Sequence, residues 1–327
     1  MINKLDYIGN EYQLYGVRVI SLVNGKSNNV KLLEVKNGLG LELEINLDRG
    51  FDITSLKFEG VNFSYLSSCG YVNSAYYDNK GEGFLKSFSA GFLTTCGLTQ
   101  VGSPNTDENE ELPLHGTFSN IPVNNYSYYI KNNKIYLKAE ILDENIFNYK
   151  LQLLRTIEVN LLKNEFKLKD EIINRGDKIT PLQILYHMNL GYPFLDENIK
   201  LNIPSNKIVP RNEEAEKYIS TALKFDEPTK NYLERCYYHY FNKDNVRISA
   251  FNPLLNKGFE ICYNSNNLKY FTEWKMCGIR DYVLGLEPGN TLPEGRNIMR
   301  KRNELEFINP KEVKKFEFKI KLFNKEK

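Results

Sequence analysis

The stretch Leu39-Gly40-Leu41-Glu42-Leu43-Glu44-Ile45-Asn46-Leu47 places Leu39, Leu41, Leu43, Ile45 and Leu47 on one side and polar or small residues on the other. A period of two is the signature of a half-buried β-strand. The same alternation recurs in Ile135–Ile141, Phe166–Ile172 and Phe316–Leu322. Turn residues such as Asn132-Asn133 and Lys163-Asn164 fall between such runs, and the second pair predicts a hairpin. Only residues 212–223 suggest a helix, with Glu213 and Glu214 where the dipole favours acids. Many strands and few short helices predict an all-β fold, a large antiparallel sandwich.

Composition narrows the function. The 43 Lys and Arg nearly cancel 41 Asp and Glu, with the signs interspersed, so no basic face points to nucleic acid. At 327 residues, with no Pro/Gly/Ser-rich linker, one domain over 1–327 is expected. The five cysteines, Cys69, Cys96, Cys236, Cys262 and Cys277, show no metal-ligand spacing and read as buried thiols of a reducing compartment. The N-terminus lacks a leader-like apolar run and no stretch approaches a membrane span, so the cytoplasm is the expected location.

Histidine is scarce, and two of the three sit in segments built like parts of a site. His115 stands in Leu114-His115-Gly116, at a turn or strand entry; His187 closes an apolar run and leads into Asn189, Gly191 and Pro193. Glu287 follows the buried-looking Tyr282–Leu286 strand, where desolvation would raise its pKa and make it a better base. The bland alternatives are core histidines bonded to carbonyls and a Glu287 salt bridge to Arg280 or Arg296. Arg49 breaks the alternation and could anchor hydroxyl groups; Trp274, the sole tryptophan, could stack on a sugar ring or fill the core. His239 is the uncommitted histidine. Three histidines and scattered cysteines do not make a zinc site.

Together these segments resemble the galactose mutarotase-like (aldose 1-epimerase) superfamily, and most closely its divergent branch with a domain of unknown function. The resemblance rests on the order and spacing of Asp48-Arg49-Gly50-Phe51-Asp52-Ile53, Cys96-Gly97-Leu98-Thr99, His115-Gly116 with Ser119-Asn120, Tyr186-His187-Met188-Asn189 with Gly191-Tyr192-Pro193, Leu286-Glu287-Pro288-Gly289 and Glu294-Gly295-Arg296. It implies a β-supersandwich with an open cleft for a free sugar. It also implies His187 as general acid on the ring oxygen, Glu287 as base on the anomeric hydroxyl, and His115 as the residue that holds the sugar and polarises its ring oxygen. Arg49, Asn189, Trp274 and Arg296 are the expected substrate-binding residues. The chain departs from the proven mutarotases after His187, where it reads Met188-Asn189-Leu190-Gly191. Where they carry an arginine ahead of the first histidine, residues 84–93 offer only Lys86.

The expected activity is therefore anomer interconversion by acid/base ring opening, with no metal or organic cofactor. The partner is a small carbohydrate; no nucleic acid or membrane is implied. The alternatives are a sugar-phosphate epimerase, for which Lys275, Arg280, Arg296, Arg300, Lys301 and Arg302 supply charge, and a non-catalytic sugar-binding or regulatory module.

Overall fold

In the computed structural model, which describes residues 4–325, the alternating stretches Ile135–Ile141, Phe166–Ile172 and Phe316–Leu322 lie in one eight-stranded antiparallel sheet. Its order is Asn125–Lys131, Lys134–Glu144, Lys150–Asn160, Glu165–Asn174, Val313–Phe323, Lys257–Asn264, Asn245–Asn252 and Lys200–Asn202. The first four strands form a meander, and Val313–Phe323 joins it to the pair Asn245–Asn252 and Lys257–Asn264. Ile135, Leu137, Ile141, Phe166, Leu168, Ile172, Phe318 and Ile320 all turn to the buried face, as period two requires. The Lys163-Asn164 hairpin is present: Val159 pairs with Phe166 across it.

A second sheet covers that face. Its order is Lys207–Pro210, Arg235–Tyr240, Tyr270–Gly278, Asp281–Gly289, Thr180–Leu190 and Glu306–Ile308, while Leu93–Leu98 also pairs with Thr180–Leu190. The inner faces interlock through aromatic rings: Tyr186 lies edge-on to Phe318 at 5.0 Å, and Phe92 to Phe259 at 5.7 Å. A buried ion cluster adds direction. Arg155 donates to Asp170 (2.9 and 2.7 Å) and Asp52 (2.7 Å), and Tyr186 of the opposite sheet donates to Asp170 at 2.7 Å. The opening stretch forms Leu41–Asn46, inside a smaller five-stranded sheet spanning Gly16–Ser21 to Val61–Asn62. The architecture is an antiparallel β-supersandwich.

Three expectations are corrected. The helix at 212–223 is shorter: Asn212 caps it by accepting from the Ala215 N–H at 2.9 Å, the α-helix spans only Glu213–Lys217, and a 3₁₀ turn follows at Ile219–Thr221. Ile219, Ser220 and Thr221 are weak helix formers and yield to tertiary packing. The polar insert 102–112, whose composition reads as a mobile rim loop, is instead a hairpin in which Asn105–Asp107 pairs with Glu110–Leu112. Asp107 is gripped by Arg296 (2.7 Å) and Arg300 (2.8 Å) of the helix Arg296–Lys301, which the sequence reading missed. All five cysteines are unpaired, but only Cys96, Cys236 and Cys277 are buried. Among the described residues, no helix is long and apolar enough to cross a membrane. The N-terminal reading begins at residues 1–3, outside the described part.

Candidate active site

Strand register places two of the three candidate residues opposite each other. Met188 pairs with Leu286 and Asn189 with Gly285, so the same antiparallel register sets His187 across from Glu287. The next strand pairs Thr272 with Glu287 and Trp274 with Gly285, and the one beyond it pairs Cys236 with Trp274. Residues directly opposite in a sheet share a face. One face of the second sheet therefore collects His187, Glu287, Thr272, Trp274 and Cys236 within four adjacent strands. Gly285 keeps that face open: a Cβ there would lie 2.4 Å from Glu287 Oε1.

His115 arrives from outside the sheet. It takes the left-handed conformation (φ 58°), its N–H donates to the Gly102 carbonyl at 2.9 Å, and its carbonyl accepts from Gly97 N–H at 3.1 Å. The following Gly116 must lack a side chain, because a Cβ would meet Gly97 O at 2.5 Å. This close approach lays the His115 ring over the floor, its centroid 5.8 Å from that of His187. Phe84 and Phe88 wall one side and Trp274 another, with the Trp274 ring 5.3 Å from His187. The cavity so formed has a volume of about 270 Å³ and is lined by His115, His187, Glu287, Trp274, Thr272 and Arg211 among others.

His187 Nε2 lies 3.2 Å from Glu287 Oε1, yet the two are not aligned as a hydrogen bond, and Glu287 Oε1 has no hydrogen-bond partner among the described residues. His115 Nδ1, His187 Nδ1 and Thr272 Oγ1 are likewise buried and unpartnered among the described residues. Buried polar atoms are normally satisfied, so these four are available to a molecule that enters the cavity. Burial holds His187 down at about 4 and, reinforced by His187 and Arg211, His115 at about 3. Burial pushes Glu287 well above the carboxylate range, Glu234 adding to the effect and Arg211 opposing it. Burial thus favours neutral imidazoles and a protonated Glu287.

Arg49, Asn189 and Arg296 do not line this cavity. Arg49 is buried and its guanidinium reaches the Val72 carbonyl at 3.4 Å. Asn189 is buried in the His187 strand, where its side-chain N–H donates to the His187 carbonyl at 2.9 Å. Arg296 spends its donors on Asp107 and Glu110. His239, the third histidine, is buried between Ser205 and Glu273, 3.0 Å from each.

Sequence reasoning missed Arg211, Glu234, Thr272 and Cys236. Thr272 was within reach, being two residues from Trp274 and hence on its face. Arg211 had no local signal. Its guanidinium is held by Ser103 Oγ (3.0 Å) and the Pro293 carbonyl (3.3 Å), with no carboxylate in ion-pair range among the described residues. Glu234 accepts from Trp274 Nε1 at 2.9 Å and fixes the indole. Among the described residues, no group of three His, Cys, Asp or Glu is disposed to hold a metal ion.

Residues 27–322 match the family described as domain of unknown function (DUF4432). The chain belongs to the DUF4432 family. No curated protein matches its sequence at a significant level. In structure, this DUF4432 chain is similar to a candidate aldose 1-epimerase from Klebsiella pneumoniae, with a TM-score of 0.89 at 24% identity, over 96% of this chain and 86% of that one. It is also similar to a galactose mutarotase-like protein from Clostridium acetobutylicum (TM-score 0.69, 16% identity, 96% and 100% covered). A third is galactose 1-epimerase from Lactobacillus acidophilus (TM-score 0.65, 14% identity, 95% and 100% covered). At these identities the likeness is one of fold: the DUF4432 chain has a galactose mutarotase-like architecture.

Proposed function

We propose that the protein is a carbohydrate isomerase of the aldose 1-epimerase type, interconverting the anomers of a free sugar in the cytoplasm, a compartment that suits its unpaired thiols. The observation that carries this reading is the meeting of His115, His187 and Glu287 in one cavity of about 270 Å³ beside the single tryptophan. Proton-transfer groups, a ring platform and unpartnered polar atoms are what a small polyol needs. In the proposed cycle Glu287 takes the C1 hydroxyl proton while His187 gives a proton to the ring oxygen. The C1–O5 bond breaks, the aldehyde rotates about C1–C2, and the ring recloses on the other face. Reclosure reverses both transfers, so no proton is gained or lost.

The resting protonation fits half of this cycle. Neutral His187 with protonated Glu287 is the state required for reclosure; opening requires the proton on His187. Both states hold one proton between the two groups, and 3.2 Å separates their facing atoms. His115 is assigned to hold and polarise the ring oxygen, Trp274 to stack on the pyranose, and Arg211 to donate to hydroxyl groups. Asn189, Arg296 and Arg49 lie outside the cavity lining: Asn189 bonds within the His187 strand, Arg296 to the Asn105–Leu112 hairpin and Arg49 to the Val72 carbonyl. None of the cations expected for the sugar-phosphate alternative lines this cavity, where Arg211 stands alone: Lys275 donates to the Thr221 and Ala222 carbonyls, and Arg296 and Arg300 are tied to Asp107.

Polarimetry on a panel of freshly dissolved aldoses tests the reading. Glu287→Gln keeps the shape and removes the base, so turnover should fall by about 10²-fold or more while sugar binding survives. A folded, fully active Gln variant would end the proposal.

A further inference from the structure

A second cavity, of about 500 Å³, opens at the other end of the Glu287 strand. It lies between the turn before that strand and the five-stranded sheet, and its lining includes Glu44, Lys57, Tyr65, Tyr192 and Arg280. It does not merge with the first cavity. Tyr65 packs against the buried cluster of Phe84, Phe88 and Ala90, and the two phenylalanines wall the His187 site, so that cluster lies between the two. Tyr282, also in its lining, has the opposite strand parity to Glu287 and faces the other side of the sheet.

The chemistry of this lining is specific in kind. Tyr192 is 73% exposed, yet its backbone is held, because Asn62 donates to its carbonyl at 2.9 Å. A large exposed ring on a fixed backbone is a stacking surface with little entropy left to lose. Glu44 accepts from the Tyr71 hydroxyl on one carboxylate oxygen and leaves the other without a hydrogen bond among the described residues. Neither Lys57 nor Arg280 has a carboxylate within ion-pair distance among the described residues. Arg280 is held at φ 69°, in a turn position that glycine fills more easily. Of the left-handed non-glycine residues, His115 lines the first cavity and Arg280 the second. Such outliers concentrate where a side chain is needed in one place.

We propose that this groove is a second binding site for a pyranose-type saccharide, with Tyr192 and Tyr65 as stacking faces and Glu44, Lys57 and Arg280 as partners for its hydroxyl groups. One acceptor, two donors and aromatic faces match a polyhydroxylated ring, whose C–H face is apolar and whose edge is polar. The preference for a sugar over another polyol rests partly on the reading of the first cavity.

The sole tryptophan makes the two sites separable. Trp274 lies in the first cavity and the groove has only tyrosines, so indole emission reports one site and fluorotyrosine NMR the other. Methyl glycosides of glucose, galactose and mannose, which cannot ring-open, are the probes. The expected result is that at least one shifts the Tyr192 and Tyr65 signals in a saturable way below about 50 mM. Tyr192→Ala and Arg280→Ala should each weaken that binding about tenfold, Tyr192→Trp should restore it, and the anomerisation rate should stay at the wild-type value. Both residues are exposed, so these variants fold. The proposal is overturned if no fluorotyrosine signal moves, if only Trp274 responds, or if the Tyr192→Ala/Arg280→Ala double variant binds as well as wild type. A protein that binds glycosides in the groove but never anomerises sugars would instead overturn the reading of the first cavity.

Discussion

His187 and Glu287 are a hundred residues apart in sequence but directly opposed in register, with Nε2 and Oε1 3.2 Å apart across neighbouring strands. The distance suits proton exchange, while the unaligned geometry leaves both groups free to turn to a third molecule. At this separation the charge on one group changes the proton affinity of the other, so the pair titrates as a unit.

That unit fixes the expected pH profile. Below about 4 His187 takes up a second proton, Glu287 can no longer ionise, and activity should rise as pH passes through this range. The falling limb belongs to loss of the pair's last proton, and burial of Glu287 moves it well above the ordinary carboxylate range. Anomerisation rates from pH 3 to 10 would show a bell with its acid limb set by the histidine. An acid limb at the usual His value near 6.5 would contradict the burial argument.

Gly285 should behave as a residue of the site without touching substrate. Its Ala variant places a methyl group 2.4 Å from Glu287 Oε1 and 3.0 Å from Trp274 Cβ, so the carboxyl must move. A misplacement of about 1 Å can cost about 10²-fold in rate, and that is the loss expected in kcat with a small change in melting temperature. Unchanged kcat in a folded Gly285→Ala protein would show that the carboxyl position is not critical.

Arg155 tests the buried ion cluster. Arg155→Met leaves Asp52 and Asp170 facing each other without their cation, and the expected loss is about 3–5 kcal/mol in urea unfolding. A loss below about 1 kcal/mol would mean the carboxylates find other partners.

Asp143 predicts a stability slope. Burial raises its pKa to about 7, above the value near 4 of an unfolded chain. The folded state then holds a proton that the unfolded state releases, so this group's contribution is complete below about pH 4 and lost as pH rises to about 7. Asp143→Asn should flatten that part of the melting-temperature profile. An equal slope in wild type and variant would place the proton elsewhere.

The strands were legible because period two survives in single stretches such as Phe166–Ile172, and a helix can be told from it by eye. The hairpin at Asn105–Leu112 was not, since its stability comes from Arg296 and Arg300, nearly two hundred residues later. His115, His187 and Glu287 stood out through scarcity and placement at strand ends or turns. Arg211 is one of 43 basic residues and becomes distinctive only when Ser103 and Pro293 close around it. Arg49, Asn189 and Arg296 were drawn in by sitting within the same motifs. Motif membership does not reveal that a side chain lies outside the cavity and is bonded to a neighbouring carboxylate or carbonyl.

The position of Val313–Phe323 has a consequence in time rather than in space. During synthesis the meander of residues 125–174 and the ribbon of residues 245–264 emerge first, each with an open edge waiting. The strand that fits between them leaves the ribosome after every residue of the proposed catalytic set. For the interval in between, the nascent chain must carry two unpaired edges that invite the wrong neighbour, and the cell's means of shielding them become part of how this protein is made.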